Sequence, residues 1–247
     1  MGRQERLNAI LERVGKDGSV DVKALAAKLG VSGATVRRDL QELSRSQLLV
    51  RTHGGALAND AAPPLSETPH HAEKRRIGQA AARLVEDNAV VGLTGGSTAL
   101  ELARALVGRR GITVVTNAIN IAAELVGRPG LRLVVIGGIV RQSYELVGPA
   151  AEAMLANYHL DIAFIGVDGL TPEEGLTTHD EMEAQTDSTF LHRARRNVVI
   201  ADSSKIGQVT FARISPLTGV DDIVTDRGAS AEQLRAFRNA GVRVVTV

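Results

Sequence analysis

The sequence contains no cysteine and no tryptophan, and aromatic residues make up only 2% of its 247 positions. Without cysteine, disulfides and thiolate metal sites are excluded. With so few aromatic rings, the hydrophobic cores must be built from Val, Ile, Leu and Ala. No long uncharged apolar run could span a membrane, and the N-terminus does not resemble a signal peptide. We therefore expect a cytoplasmic globular protein, for which 44% hydrophobic and 23% charged residues are ordinary values.

The net charge of +1 conceals an uneven distribution of charge along the chain. Residues 1–56 contain ten Lys and Arg against six Asp and Glu, whereas the remainder contains 19 against 22. A basic head on an acidic body indicates that the head binds a polyanion. The alternative is an incidental imbalance of surface charge.

Three apolar stripes of helical period open the chain. Each predicted helix is too short to be stable alone, so the three must share one core. Asp21 can cap the second helix, Gly30 suits the position just past its end, and Ser32 can cap the third. The tight link from Gly30 to Ser32 predicts a helix-turn-helix. The stripes are Leu7, Ile10, Leu11 and Val14; Val22, Leu25, Ala26 and Leu29; and Val36, Leu40 and Leu43.

A β-hairpin wing is predicted next, from the apolar stretch Leu48–Val50 and residues 51–55. Residues 58–69 contain three prolines together with Asn, Asp, Ser and Thr, a composition typical of a linker. We therefore expect a winged helix-turn-helix domain at 1–57, a linker at 58–69 and an α/β domain at 70–247.

From about residue 70, short Val- and Ile-rich strands alternate with helices, as expected for buried parallel strands. The predicted fold class is therefore α/β, with a doubly wound, mostly parallel sheet following the winged helix-turn-helix. The first helix of this part places Ile77, Ala81, Leu84 and Val85 on one face. Predicted strands are Ala89–Leu93, Ile112–Val115, Leu131–Ile136, Asp161–Gly166, Asn197–Ala201, Asp222–Thr225 and Val242–Val245. Predicted helices are Thr98–Val107, Asn117–Val126, Pro149–Tyr158, Asp180–Arg195 and Ala231–Ala240.

The third helix carries the features of a DNA-reading helix. Its apolar stripe faces the core, so Arg37 and Arg38 face solvent. In helix-turn-helix proteins the N-terminal part of this helix contacts bases, and Arg suits bidentate contact with guanine. The alternative is that both arginines are solvated surface charges, one of them paired with Asp39. The predicted DNA-binding residues are Ser32, Gly33, Thr35, Arg37 and Arg38, with Arg51 and His53 in the wing.

The string VSGATVRRDLQEL at 31–43, followed by RTHGGA at 51–56, resembles the DeoR family of bacterial regulators. That family's signature is VS-x-x-T-[IV]-RRDL, closing with an R-x-HGGA segment after the wing. Residues 3–56 match it almost position for position. The resemblance implies a DNA-binding transcriptional regulator.

The stretch Thr94–Thr98, which reads TGGST, predicts a phosphate cradle in the second domain. It follows a predicted strand and opens a predicted helix, so its glycines, hydroxyls and first helical N–H groups converge on one point. It is neither a dinucleotide fingerprint nor a Walker loop. The alternative is a plain strand-to-helix turn capped by Ser97 or Thr98.

Further polar residues follow other predicted strands, at the edge where ligands of open α/β sheets bind. Lys205 can neutralise a phosphate or carboxylate as a point charge. Asp168 can accept hydrogen bonds from sugar hydroxyls. Each residue taken alone could instead be a turn or a cap. The predicted effector-binding residues are Gly95, Gly96, Ser97, Thr98, Asn117, Gly138, Asp168, Gly169 and Lys205.

Residues 70–247 also resemble the effector domain of the DeoR family, which is similar in fold to ribose-5-phosphate isomerases. This resemblance implies a phosphorylated sugar as ligand. Most family members read D-S-G-T-T where this chain reads Thr94–Thr98, so Thr94 replaces an aspartate and any contact of that aspartate is lost. The matching pieces are GGST (95–98), TNA (116–118), GG (137–138), DG (168–169), GLTT (175–178) and DSSK (202–205).

The alternative function is a sugar-phosphate isomerase that carries a DNA-binding head. Such an enzyme needs a general base beside the substrate, for which Glu181 and Glu183 are candidates. The isomerases, however, have a Lys-Gly-Gly-rich loop where this chain has residues 170–178, which contain no Lys. We therefore expect no catalytic residues. No metal site or cofactor motif is predicted either.

Together these patterns predict a transcriptional regulator, a repressor of a carbohydrate-metabolism operon. Its expected partners are double-stranded operator DNA and a phosphorylated sugar. One small head covers little DNA, so we expect a homo-oligomer, a dimer or a tetramer, that reads repeated half-sites.

Overall fold

The computed structural model describes residues 6–7, 9–10, 13–14, 19–45, 49–52, 54–58 and 70–247. The chain forms two compact units, Met1–Pro69 and His70–Val247. The predicted fold class is confirmed, because the first unit holds a helix-turn-helix with a wing and the second a parallel α/β sheet. None of the helices in the described part of the chain has the length and apolar content that crossing a bilayer requires.

The N-terminal unit builds its helix-turn-helix from α1 (Val22–Leu29) and α2 (Gly33–Arg45). Strand β1 (Ser19–Asp21) precedes them, and β2 (Leu49–Arg51) and β3 (Gly55–Ala58) form the antiparallel wing. The three predicted stripes meet in one core, whose buried members include Leu7, Ile10, Val14, Val22, Leu25, Val36, Leu40 and Leu43. Leu11, Leu48 and residues 59–69 of the predicted linker lie outside the described residues.

The turn between α1 and α2 has the predicted capping. The carboxylate of Asp21 accepts hydrogen bonds from the backbone N–H groups of Lys23 and Ala24. Gly30 ends α1 with a φ of 64°, a left-handed conformation that favours glycine. The hydroxyl of Ser32 accepts from the N–H of Thr35 at 3.1 Å.

The second unit is organised around a seven-stranded parallel sheet with the strand order β15-β14-β12-β9-β4-β5-β6. The seven predicted strands are the seven strands of this sheet. The chain enters at β4, adds β5 and β6 on one side, and returns to add the others on the opposite side. The sheet strands are β4 (Val90–Leu93), β5 (Ile112–Thr116), β6 (Leu131–Val135), β9 (Ile162–Ile165), β12 (Asn197–Ile200), β14 (Asp222–Thr225) and β15 (Arg243–Thr246).

Helices connect the strands of this sheet, and since such connections between parallel strands follow a right-handed rule, we expect the helices of its two halves on opposite faces. The core between the layers is aliphatic, as the composition requires, with Phe164, Phe190 and Phe237 among its largest buried side chains. The helices are α3 (His71–Ala82), α4 (Ser97–Leu106), α5 (Ile119–Leu125), α6 (Pro149–Leu155), α7 (Glu181–Arg193) and α8 (Ala231–Asn239).

The structure adds elements that the sequence did not predict. A small hairpin, β7 (Ile139–Val140) with β8 (Leu146–Val147), precedes α6. A three-stranded antiparallel sheet contains β10 (Gly169–Thr171), β11 (Gly175–Thr178) and β13 (Ala212–Ser215). Helix α3 ends at Ala82, so Leu84 and Val85 lie beyond it in the turn that leads to β4. Strands of only two to four residues are too short to show an alternating apolar pattern.

Candidate functional site

The exposed face of α2 carries two arginines. Arg37 and Arg38 are exposed, whereas Val36 and Leu40 are fully buried on the opposite side. At the N-terminus of the helix, the hydroxyls of Ser32 and Thr35 lie 2.9 Å apart and share a hydrogen bond. This face presents a cationic surface together with the short polar side chains that helix-turn-helix proteins direct toward DNA.

Asp39 does not neutralise either arginine of this face. Its carboxylate is 3% exposed and accepts from Arg6, with Nε to Oδ2 at 2.5 Å and Nη2 to Oδ1 at 3.1 Å. The ion pair therefore joins α2 to the first helical segment of the head. The interpretation of Arg37 or Arg38 as a partner of Asp39 is wrong, since Arg6 occupies that carboxylate.

Two wing positions were also predicted to contact DNA. Arg51 lies in β2, at the end of the strand that pairs with β3. His53 lies outside the described residues. Both remain predictions.

The second unit contains a cavity of about 260 Å³ at the carboxyl ends of β4 and β9. These neighbouring strands lie where the order of the sheet reverses, which is the position of ligand crevices in doubly wound folds. Residues after both strands line it, including Gly95–Thr98 after β4 and Gly166–Asp168 after β9. The topology thus brings two chain segments about 70 positions apart to one cavity.

The TGGST segment passes directly into α4, which begins at Ser97. Its N-cap residue is Gly96, which has no side chain to accept hydrogen bonds from the first turn. The N–H groups of this turn and the Ser97 and Thr98 hydroxyls are therefore available to an anion in the cavity. A Cβ atom on Gly95 would lie 2.3 Å from Oε1 of Glu145, so only glycine permits this close approach.

Thr94, which replaces the aspartate common in similar sequences, has a structural contact here. It is 1% exposed, and its hydroxyl accepts a hydrogen bond from the backbone N–H of Gly166 at 3.0 Å. This bond joins the ends of β4 and β9 and fixes the floor of the cavity.

Lys205, Asp168 and Thr178 form a connected group on another wall of the cavity. The ammonium of Lys205 lies 3.2 Å from Oδ1 of Asp168, and the hydroxyl of Thr178 donates to Oδ2 of Asp168 at 3.1 Å. A cation and hydrogen-bonding groups thus lie together beside the TGGST segment.

Six of the nine predicted effector-binding residues line this cavity: Gly95, Gly96, Ser97, Thr98, Asp168 and Lys205. The other three do not. Asn117 is fully buried behind it, Gly169 begins β10, and Gly138 is exposed beside the β7–β8 hairpin. Of the two carboxylates considered as catalytic bases, Glu183 lines the cavity and Glu181 is exposed.

Sequence reasoning missed several acidic residues of the cavity. Glu145 precedes β8 in a segment without a recognisable motif, and it is 7% exposed. Asp187 lies on α7, four residues after Glu183, and is 4% exposed. Carboxylates four apart on one helical face repel each other, so this spacing was the available signal. Lys74, Ser143, Thr178 and Asp202 complete the missed polar lining.

The hairpin turn that carries Glu145 is attached to α7. Arg141 forms an ion pair with Asp180, the N-cap residue of α7. The hydroxyl of Ser143 donates to Oε1 of Glu183 at 2.6 Å. These contacts hold the turn over one side of the cavity.

Burial shifts the pKa values of three ionisable groups that line the cavity, Glu145, Asp187 and Lys74. Burial and the neighbouring charge of Glu183 raise the pKa of Glu145 to about 7, although hydrogen bonds from Asn117 and Gly95 oppose the shift. Burial, with the charges of Glu145 and Glu183, also raises the pKa of Asp187 well above its usual value. Burial lowers the pKa of Lys74, although Asp202 opposes that change.

Two family models match the chain. The DeoR-like helix-turn-helix domain matches residues 6–62, and the DeoR C terminal sensor domain matches residues 69–227. Neither model describes an enzyme.

Curated relatives resemble the chain over nearly its whole length. A transcriptional repressor assigned to the aga operon of Escherichia coli O157:H7 is 36% identical, over 100% of this chain and 94% of the relative. The HTH-type transcriptional regulator GlpR of Haloferax volcanii is 33% identical, over 98% and 96%. The glycerol-3-phosphate regulon repressor of Escherichia coli K12 is 29% identical, over 92% of each. Among solved structures, ribose 5-phosphate isomerase A of Methanocaldococcus jannaschii matches with a TM-score of 0.40 and 21% identity, covering 56% of this chain and 55% of that chain.

Proposed function

The chain belongs to the DeoR family of transcriptional regulators, and from this premise we propose that it represses a carbohydrate-metabolism operon under the control of a phosphorylated sugar. It acts in the cytoplasm as a homo-oligomer, a dimer or a tetramer. The proposed domain limits are 1–57 for the DNA-binding head, 58–69 for the linker and 70–247 for the sensor.

The observation that supports DNA reading is the exposed Arg37–Arg38 pair on α2, whose neighbouring acid is occupied by Arg6. We assign base or phosphate contacts to Ser32, Gly33, Thr35, Arg37 and Arg38, and wing contacts to Arg51 and His53. These assignments follow the docking of other helix-turn-helix proteins, in which this helix enters the major groove.

The test uses a duplex that the protein itself selects from a random pool. Arg38→Ala should weaken binding by about 1–3 kcal/mol if the side chain reads a base. Arg235→Ala is the charge-matched control, because Arg235 is exposed on α8 in the other unit. Equal affinities of the Arg38 variant and this control would remove Arg38 from the reading face.

The observation that supports an effector is the cavity where the N-terminus of α4 and Lys205 lie together. The effector's phosphate binds the Gly95–Thr98 segment, since helix N–H groups and hydroxyls favour a dianion. The sugar hydroxyls then contact Asp168 and its neighbours. Asn117, which lies outside the lining, acts on this site through the hydrogen bond from its side-chain amide to Glu145. Gly138 and Gly169, also outside the lining, act on it through the backbone segments to which they belong.

A thermal-shift screen of sugar phosphates, with the free sugars as controls, tests this site. A ligand at about 100 times its Kd adds about 2.7 kcal/mol to the stability of the folded state. The double variant Ser97→Ala, Thr98→Ala should lose the shift and keep DNA binding in the absence of ligand. A full shift in this double variant would place the effector elsewhere.

The effector regulates by binding the DNA-competent and DNA-incompetent states with different affinities. The protein performs no catalysis on the sugar, because the loop at 170–178 lacks the lysine found in the isomerases. Purified protein should therefore not interconvert pentose or hexose phosphates. If the wild-type protein isomerises a sugar phosphate and the Glu183→Gln variant does not, the isomerase function would be supported instead.

A further inference from the structure

The charges that line the cavity are not balanced. Its two cations are each matched to one carboxylate: Lys205 lies 3.2 Å from Asp168, and Lys74 lies 3.8 Å from Asp202. Three more carboxyl groups, those of Glu145, Glu183 and Asp187, line the same space. Within the described part of the chain, no Lys, Arg or His side chain lies within 4.0 Å of them.

Two of these three carboxyl groups accept hydrogen bonds only from uncharged donors. Glu145 accepts from Nδ2 of Asn117 at 3.0 Å and from the N–H of Gly95. Glu183 accepts from the hydroxyl of Ser143 at 2.6 Å, and its Oε2 lies 3.4 Å from the hydroxyl oxygen of Thr178, whose proton is donated to Asp168. These bonds orient the carboxylates toward the cavity without neutralising them.

Asp187, the third group, has an unpartnered oxygen. Its side chain is 4% exposed and lines the cavity, and Oδ1 has no hydrogen-bond partner among the described residues. A buried, unpartnered carboxylate is unfavourable, so it requires a proton or a positively charged donor. Burial and the charges of neighbouring carboxylates raise the pKa values of Asp187 and Glu145, so each of these acids holds a proton more tightly than a solvated carboxyl group does.

The phosphate ester of a sugar without a cationic group fits this arrangement poorly. Its phosphate adds negative charge to a cavity that already holds three unmatched acids, and its hydroxyls supply hydrogen bonds but no positive charge. An ammonium group supplies both, because it donates up to three charge-assisted hydrogen bonds to carboxylates.

We propose that the effector is a phosphate ester that also carries an ammonium group, as in a phosphorylated amino sugar, with the ammonium bound by Glu145, Glu183 and Asp187. The phosphate remains at Gly95–Thr98, so this inference rests on the proposed function. On binding, the ammonium takes the place of the protons on the buried acids, and those protons pass to the solvent.

The experiment compares sugar phosphates that differ only at one substituent, which is an amine, a hydroxyl or an N-acetyl group. Isothermal titrations use glucosamine 6-phosphate, glucose 6-phosphate and N-acetylglucosamine 6-phosphate, with the corresponding galacto series. The amine should bind about tenfold or more tightly than its hydroxyl and N-acetyl counterparts in at least one series. Titrations near pH 6.5 in two buffers of different ionisation enthalpy should show more proton release for the amine than for its hydroxyl counterpart, because the phosphate group, with a second pKa of about 6, contributes equally to both.

Asp187→Asn and Glu183→Gln should reduce the preference for the amine to less than about threefold while the phosphate still binds. Glu181→Gln, at an exposed position of the same helix, α7, is the matched control and should keep the preference for the amine. Proton release by the wild-type protein gives an independent measurement should a variant fail to fold.

Equal or tighter binding of the hydroxyl or N-acetyl compound would overturn the ammonium site and leave the proposed phosphate sensor intact. Proton uptake with the amine would overturn it as well. Failure of every phosphate ester to bind would overturn both proposals.

Discussion

The buried amide of Asn117 donates from Nδ2 to Oε2 of Glu145 over 3.0 Å. Asn117 follows β5, and Glu145 precedes β8, 28 positions later. The sequence pattern pointed to Asn117 as a ligand contact, but the structure places its side chain behind a carboxyl group that lines the cavity. The amide thus orients Glu145, and this relationship leads to the first prediction.

Glu145→Gln should remove a pH-dependent contribution to stability. The pKa of Glu145 is about 7 in the folded protein, and in the unfolded chain it is close to the ordinary value of about 4.3. The folded state therefore binds the proton more tightly. Its contribution to stability is fully present below about pH 4.3 and is lost as the pH rises through about 7.

Urea unfolding at pH 5 and pH 8 measures this effect. The wild-type protein should lose about 3 kcal/mol more than the variant between these two values, as an upper limit for this shift. Glu181→Gln, an exposed substitution of the same kind, should behave like the wild type. If the free energy of unfolding of wild type and Glu145→Gln depends on pH in the same way, Glu145 is not the titrating group.

Gly95→Ala should lower the free energy of unfolding by about 1–3 kcal/mol, because its Cβ would force Glu145 from its position. Denaturant titration measures the loss. Gly137→Ala is the control, since its Cβ would meet no atom within 4 Å. In a Glu145→Ala background this clash is absent, so Gly95→Ala should barely change the free energy of unfolding. A loss as large as in the wild-type background would contradict the steric explanation.

Asp39→Ala should unfold the head without affecting the sensor. The variant leaves Arg6, whose side chain is 13% exposed, without its partner, and the loss of one member of such a pair leaves an uncompensated charge that destabilises the fold. Small domains have a low free energy of unfolding, so the loss of this ion pair should be enough to unfold the head. We expect loss of DNA binding and rapid proteolysis within residues 1–57, with an unchanged thermal transition of residues 70–247. Retained DNA affinity would show that this ion pair contributes little.

Asp222→Asn should destabilise the sensor at neutral pH. Burial alone would raise the pKa of Asp222, but the guanidinium groups of Arg196 at 2.7 Å and Arg243 at 2.5 Å outweigh it and lower the pKa. The resulting stabilisation is present above about pH 3.9, the unfolded value, and is lost as the pH falls through the folded value.

The difference between wild type and Asp222→Asn should be largest near pH 7 and should shrink below pH 3.9, because the two guanidinium groups stabilise only the ionised carboxylate. Urea titrations at both values measure it. Glu173→Gln, which neutralises an exposed carboxylate of the same unit, is the control. A difference that is constant with pH would assign the loss to packing instead of charge.

Local patterns predicted most of the fold. Asp21, Gly30 and Ser32 act within two or three residues of themselves, so their capping roles follow from the sequence. The seven sheet strands were found for a similar reason, because each is a short Val- and Ile-rich run between turn residues. The β7–β8 hairpin was missed because its strands are two residues long.

The sequence by itself determined the two domain types, the arginine face of α2 and the TGGST segment, because each depends on residues close together in the chain. Only the tertiary structure decided which charges are matched. It paired Asp39 with Arg6 and placed Asn117 behind Glu145. It also brought Asp187 into the cavity, where Oδ1 has no hydrogen-bond partner among the residues that the structure describes. Charge pairing and desolvation depend on distances of a few ångströms between residues far apart in the chain, and the folded sheet alone sets those distances.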